Sequence, residues 1–65
     1  MSHIRVLLVD DHDLVRSGLR MLLEQTPQIR VAAEASSGQE AVDMAESVNP
    51  DVILMDLTMP GMNGL

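Results

Sequence analysis

Three short aliphatic runs, Ile4–Val9, Ile29–Ala35 and Asp51–Asp56, are separated by two segments, residues 10–28 and 36–50, that carry apolar residues at helical spacing. This alternation constrains the fold more than any other feature of the chain. Runs with so few polar interruptions suit strands covered on both faces, as in parallel sheets. The order β-α-β-α-β then implies an α/β layer structure whose strands are joined by right-handed crossovers. If the first strand lies between the second and the third, the strand order is 2-1-3.

The helical segments carry start and stop signals. In "LVRSGLRMLLEQ", Leu14, Val15, Gly18, Leu19, Leu22 and Leu23 recur on one face, and Arg16 and Arg20 fall on the other. Asp11 or His12 is positioned to cap this helix, Asp13 suits the positive end of its dipole, and Pro27 in "QTPQ" breaks it. Gly18 is expected to permit close packing. Ser37 to Glu40 spells S-x-x-E, a capping box. Ala41, Val42, Met44, Ala45 and Val48 form the second apolar stripe, and "NP" ends it. Pro60-Gly61 and Asn63-Gly64 mark turns after the third strand.

Composition narrows the function classes. The 65 residues allow one small domain, and a chain of this size buries only about 60% of its unfolded surface. It has no cysteine and no aromatic residue, which excludes disulfides and thiolate metal sites and leaves the core to Leu, Val, Ile, Ala and Met. Ten acidic residues face four arginines and no lysine, a net charge of -6 that lacks the cationic stripe of a nucleic-acid binder. No apolar run is long enough for a bilayer span, so a soluble cytoplasmic protein without membrane contact is expected.

The carboxylates are more telling. Asp10 and Asp11 follow the first strand, and Asp56 ends the third. In a 2-1-3 sheet these strand ends are neighbours, and open parallel sheets bind ligands at such an edge. Taken singly, "DD" before a helix reads as a solvated cap, and an Asp at a strand end as a turn residue. Their joint placement favours a site. Carboxylates ~5 Å apart at an effective dielectric of ~20 repel by roughly 3 kcal/mol per pair, a cost that water, a held proton or a cation can relieve. Oxygen donors suit a hard cation such as Mg²⁺, which commonly takes one or two carboxylates and shares phosphate oxygens. The adjoining helix N-terminus favours anions, and together these features fit an aspartyl-phosphate site. His12 reads as an exposed cap side chain, His3 carries no signal, and Met55, Met59 and Met62 read as packing.

The residues that carry this chemistry also carry a resemblance. "VLLVDDHDLVRSGLRMLLE" with "PDVILMDLTMPGMNG" closely resembles the receiver domain of two-component response regulators. "DDH" followed by "VRSGL" looks most like the LuxR/NarL-type subgroup. The resemblance implies a flavodoxin-like, CheY-like parallel sheet, of which this chain holds the β1-α1-β2-α2-β3 part. It implies that Asp56 is the phosphoacceptor for a sensor histidine kinase. Asp10, Asp11, Asp56 and the backbone carbonyl of Thr58 would hold Mg²⁺. It also implies that transcription is controlled through a DNA-binding output domain, so that this segment itself does not touch nucleic acid.

Receivers of this family have five strands, so residues 1–65 are expected to be the N-terminal part of one, without the family's later hydroxyl residue and lysine. The third strand would then offer an open aliphatic edge, and self-association through it is expected. The resemblance also implies a signalling module rather than an enzyme. Two other readings remain open on the residues alone. A haloacid-dehalogenase-like phosphohydrolase would place a second Asp where Thr58 stands. A small nucleotide- or flavin-binding α/β module would need a Gly-rich first loop in place of "DDHD".

Overall fold

The computed structural model describes residues 3–55. The five elements are β1 (Ile4–Val9), α1 (Asp13–Glu24), β2 (Ile29–Ala35), α2 (Gly38–Val48) and β3 (Val52–Met55). They form one parallel sheet of order β2-β1-β3, as the sequence pattern predicts. The predicted third strand was longer. Asp51 lies in the bend before it, and Asp56 lies outside the described residues, as do Thr58, Met59, Met62 and both predicted turns.

β1 is the central strand, and its residues from Val6 to Val9 are buried. Leu7 and Val9 turn one way and form the core with Ala35 and with Ala41 of α2, and Ala33, Met44, Ala45 and Met55 pack around them. Full burial of side chains of this size is worth about 1.5–3 kcal/mol each. Leu8 alternates to the opposite face, towards Val15 and Leu19 of α1 and Leu54 of β3. β2 carries a bulge opposite Val6 and Leu7, so that Val6 pairs with Val31 and Leu7 with Ala33.

α2 is bounded as its sequence suggests, with one difference. Ser37 Oγ accepts the Glu40 N–H at 3.1 Å, the forward half of a capping box. The Glu40 carboxylate reaches one residue further back than expected, accepting the Ser36 N–H at 2.6 Å and the Ser36 hydroxyl at 3.1 Å. At the other end Asn49 adopts the left-handed conformation (φ 53°), its N–H donating to the Ala45 carbonyl, and Pro50 follows.

α1 departs further from its pattern. His12 is the N-cap residue, but its side chain makes no capping bond. The apolar stripe is not fully buried: Leu14 is 87% exposed, Leu22 is exposed, and Val15 stays half-exposed on the side it turns to Leu8. A three-stranded sheet is too narrow to cover the whole helix face, and only Leu19 and Leu23 of the stripe are partly buried. Gly18 has no neighbour within 4 Å of where a Cβ would stand, so among the described residues it serves no close approach. Arg16, expected on the solvent side, has a side chain only 16% exposed.

Candidate functional site

The site begins where β1 ends. Asp10 is 3% exposed, the one buried charged residue among those described. Its backbone N–H donates to the Ala35 carbonyl at 3.1 Å, which prolongs the β1–β2 ladder by one residue. Its carboxylate accepts the His12 N–H at 2.8 Å, a local turn that leads the chain into α1. Its own carbonyl accepts a bond of 2.6 Å from Arg16 Nη1. The backbone and the side chain of Asp10 are therefore both held.

Asp11 and His12 complete the cluster. Ligand-capable atoms of Asp10, Asp11 and His12 all lie within 4.8 Å of one another. His12 Nδ1 stands 2.8 Å from Asp11 Oδ1 and 3.3 Å from Asp10 Oδ1. The imidazole is exposed, as the sequence suggests, but it leans on both carboxylates instead of pointing away from them. Its spacing of one and two residues from the pair was the available signal.

A second charged group, not anticipated from the sequence, lies beneath the first. Besides Asp10, the Arg16 guanidinium bonds Glu34 at 3.0 Å through Nε and Asp13 at 2.6 Å through Nη2. Arg20 takes the other Glu34 oxygen at 2.9 Å. Burial lowers the Arg16 pKa, and the bonds to Asp13 and Glu34 together with their charges outweigh it, leaving the pKa above its ordinary value. The visible signal was Glu34, a charge within the apolar run that follows Arg30 in β2, on the side that turns towards the helix.

Of the predicted site residues, the structure brings Asp10 and Asp11 together, and Asp56 and Thr58 lie outside the described residues. What can be read is the register that leads to Asp56: Val9 pairs with Met55, and these two residues directly precede Asp10 and Asp56 in the sequence.

Comparison with known proteins decides the family. Residues 6–65 match the response regulator receiver domain. The chain belongs to that family. This receiver sequence is 52% identical over 60 residues to the nitrate/nitrite response regulator protein NarL of Escherichia coli K12, covering 92% of this chain and 28% of NarL. It is 57% identical over 65 residues to protein-glutamate methylesterase/protein-glutamine glutaminase 2 of Carboxydothermus hydrogenoformans, covering all of this chain and 18% of that protein. Its fold matches a LuxR-family two-component response regulator from Aurantimonas sp. SI85-9A1 with a TM-score of 0.86 at 47% identity, over 92% of this chain and 43% of that one. The likeness runs to the LuxR/NarL type, and nothing in it supports the phosphohydrolase or flavin readings. No helix among the described residues is long and apolar enough to cross a membrane.

Proposed function

We propose that this receiver segment accepts a phosphoryl group on Asp56 from the phosphohistidine of a sensor kinase. In that step a carboxylate oxygen of Asp56 forms the new P–O bond, the P–N bond to the kinase histidine breaks, and the imidazole keeps the electron pair. The observation that carries the reading is Asp10, a buried carboxylate placed beside Asp11 at the end of the central strand, one residue past the pair Val9–Met55. Two hard carboxylate donors this close fit a divalent cation such as Mg²⁺. Asp10, Asp11, Asp56 and the Thr58 carbonyl would hold it, and when bound it supplies neutralising charge for the phosphoryl group. The chain's own part is to keep Asp10 rigid and to aim its carboxylate at the strand edge.

The relatives are much longer than this chain, and their outputs differ. We assign residues 1–65 to the N-terminal part of a receiver. Transcriptional control through DNA, of the LuxR/NarL kind, would lie in an output domain outside these residues, and the kinase partner implies a cytoplasmic setting. The receiver itself acts as a signalling module, not an enzyme. A second partner is another copy of the chain. Val52, Ile53 and Leu54 are 46%, 47% and 41% exposed, and among the described residues β3 pairs on one side only, which favours β3-to-β3 association. A monomer in sedimentation at high concentration would remove that part.

The phosphoryl reading is tested by intact-mass spectrometry after incubation with acetyl phosphate and Mg²⁺. One phosphoryl group should be gained by the chain and not by Asp56→Asn. Equal gain by both, or gain by neither, would refute Asp56 as the acceptor in this chain.

A further inference from the structure

The proposed function makes no use of the Arg16 side chain, although it bonds directly to the backbone of a site residue. Its guanidinium joins three elements: the carbonyl that ends β1 at Asp10, the Glu34 side chain on β2, and Asp13 in the first turn of α1. We infer that Arg16 is a positioning residue for the cation site, fixing through the Asp10 carbonyl the backbone on which Asp10 and Asp11 are mounted. The inference rests on the carboxylate pair being a divalent-cation site.

Two features separate this role from simple charge balance. First, the acceptors of Arg16 include neither the Asp10 nor the Asp11 carboxylate. Its charge is answered by Asp13 and by Glu34, which Arg20 shares. Arg20 also pairs with Glu24, so these two cations face three anions of their own, and the Asp10–Asp11 carboxylates are not what answers them. Second, the Arg16 bond completes the restraint on Asp10. The N–H goes to Ala35, the carboxylate to the His12 N–H and the carbonyl to Arg16. With the carbonyl free, the peptide plane between Asp10 and Asp11 can rotate, and the two carboxylates lose their common aim. A planar guanidinium can serve three acceptors in three directions at once, which an ammonium on a flexible stem cannot do in the same geometry. Metal sites commonly depend on such supporting bonds, and their loss typically costs about 10–100-fold in affinity.

The positioning role and a purely electrostatic one predict opposite signs. If Arg16 acts only as a nearby cation, removing its charge strengthens Mg²⁺ binding. If it positions Asp10, removing it weakens binding although a repelling charge has gone. The experiment is a Mg²⁺ titration followed by backbone amide NMR shifts on the full 65-residue chain, comparing wild type with Arg16→Gln, Arg16→Lys and Arg20→Gln. The spectra also report whether each variant is folded. We expect Arg16→Gln and Arg16→Lys both to weaken binding by about tenfold or more, with the lysine failing to rescue. Arg20→Gln, which removes an equal charge from Glu34 without touching Asp10, should bind as tightly as wild type or slightly more so. Unchanged or tighter binding in Arg16→Gln, or full rescue by Arg16→Lys, overturns the positioning role. Absence of saturable binding in wild type overturns the cation site itself, and the inference with it. Should Arg16→Gln lose its folded spectrum, Arg16→Lys alone decides.

Discussion

Replacing Asp10 by Asn should make the metal-free protein more stable and make it indifferent to Mg²⁺. Asp10 is 3% exposed, and its carboxylate lies within 4.8 Å of that of Asp11. At this separation and an effective dielectric of ~20, two like charges repel by roughly 3 kcal/mol. The Asp11 side chain is 31% exposed, so water screens part of that repulsion, and about 2 kcal/mol is a reasonable working value. Against it stands the His12 N–H, which donates to Asp10 Oδ1 at 2.8 Å. Asn retains an acceptor there, but a bond to a neutral oxygen is weaker than one to a carboxylate by about 1 kcal/mol. The net expectation is a gain of about 1 kcal/mol, or a rise in Tm of roughly 4–8 °C for a domain of this size. Bound Mg²⁺ stabilises the wild type by RT ln(1 + [Mg²⁺]/Kd), so the order should reverse once Mg²⁺ exceeds about five times its Kd. The chain has no aromatic residue, so far-UV circular dichroism during thermal or urea denaturation is the suitable assay. If Asp10→Asn is less stable without Mg²⁺, the carboxylate is there to hold the turn into α1, and the repulsion argument fails.

Two further outcomes follow from the helices. Gly18→Ala should stabilise the protein by about 1 kcal/mol in urea denaturation, because Gly18 lies inside α1 and a Cβ there meets nothing within 4 Å; a loss of stability would mean that this face packs against something. The Ser36 N–H and hydroxyl hold the Glu40 carboxyl below its ordinary value of 4.5, the charge of Arg16 acts the same way, and desolvation opposes them. Folding therefore favours the ionised form. That contribution is complete above the ordinary value and is lost as pH falls through the lowered one, so urea midpoints should fall on acidification less steeply in Glu40→Gln than in wild type.

The parts legible in the sequence were those where one signal has one physical meaning. The aliphatic runs at Ile4, Ile29 and Val52 are too short for helices and are set off by helical segments, which leaves them as strands, and Asn49-Pro50 ends the helix before the third. Asp10 and Asp11 were legible because they are adjacent at the end of a strand, where alternation fixes their surroundings. Arg16 was not legible, because a charge on an amphipathic helix is read by default as facing water and a leucine as facing the core. In α1 that default is inverted at two positions: the Leu14 side chain is exposed and that of Arg16 is mostly covered. The cause lies on the other side of the contact. β2 presents Glu34 to α1, and a carboxylate between packed layers must be paired. Arg16 and Arg20, one helical turn apart, both reach it. α1 therefore meets the sheet through the pairing of Glu34 as well as through Leu19 and Leu23 of its apolar stripe, and the guanidinium that answers Glu34 is the one that also bonds the carbonyl of Asp10.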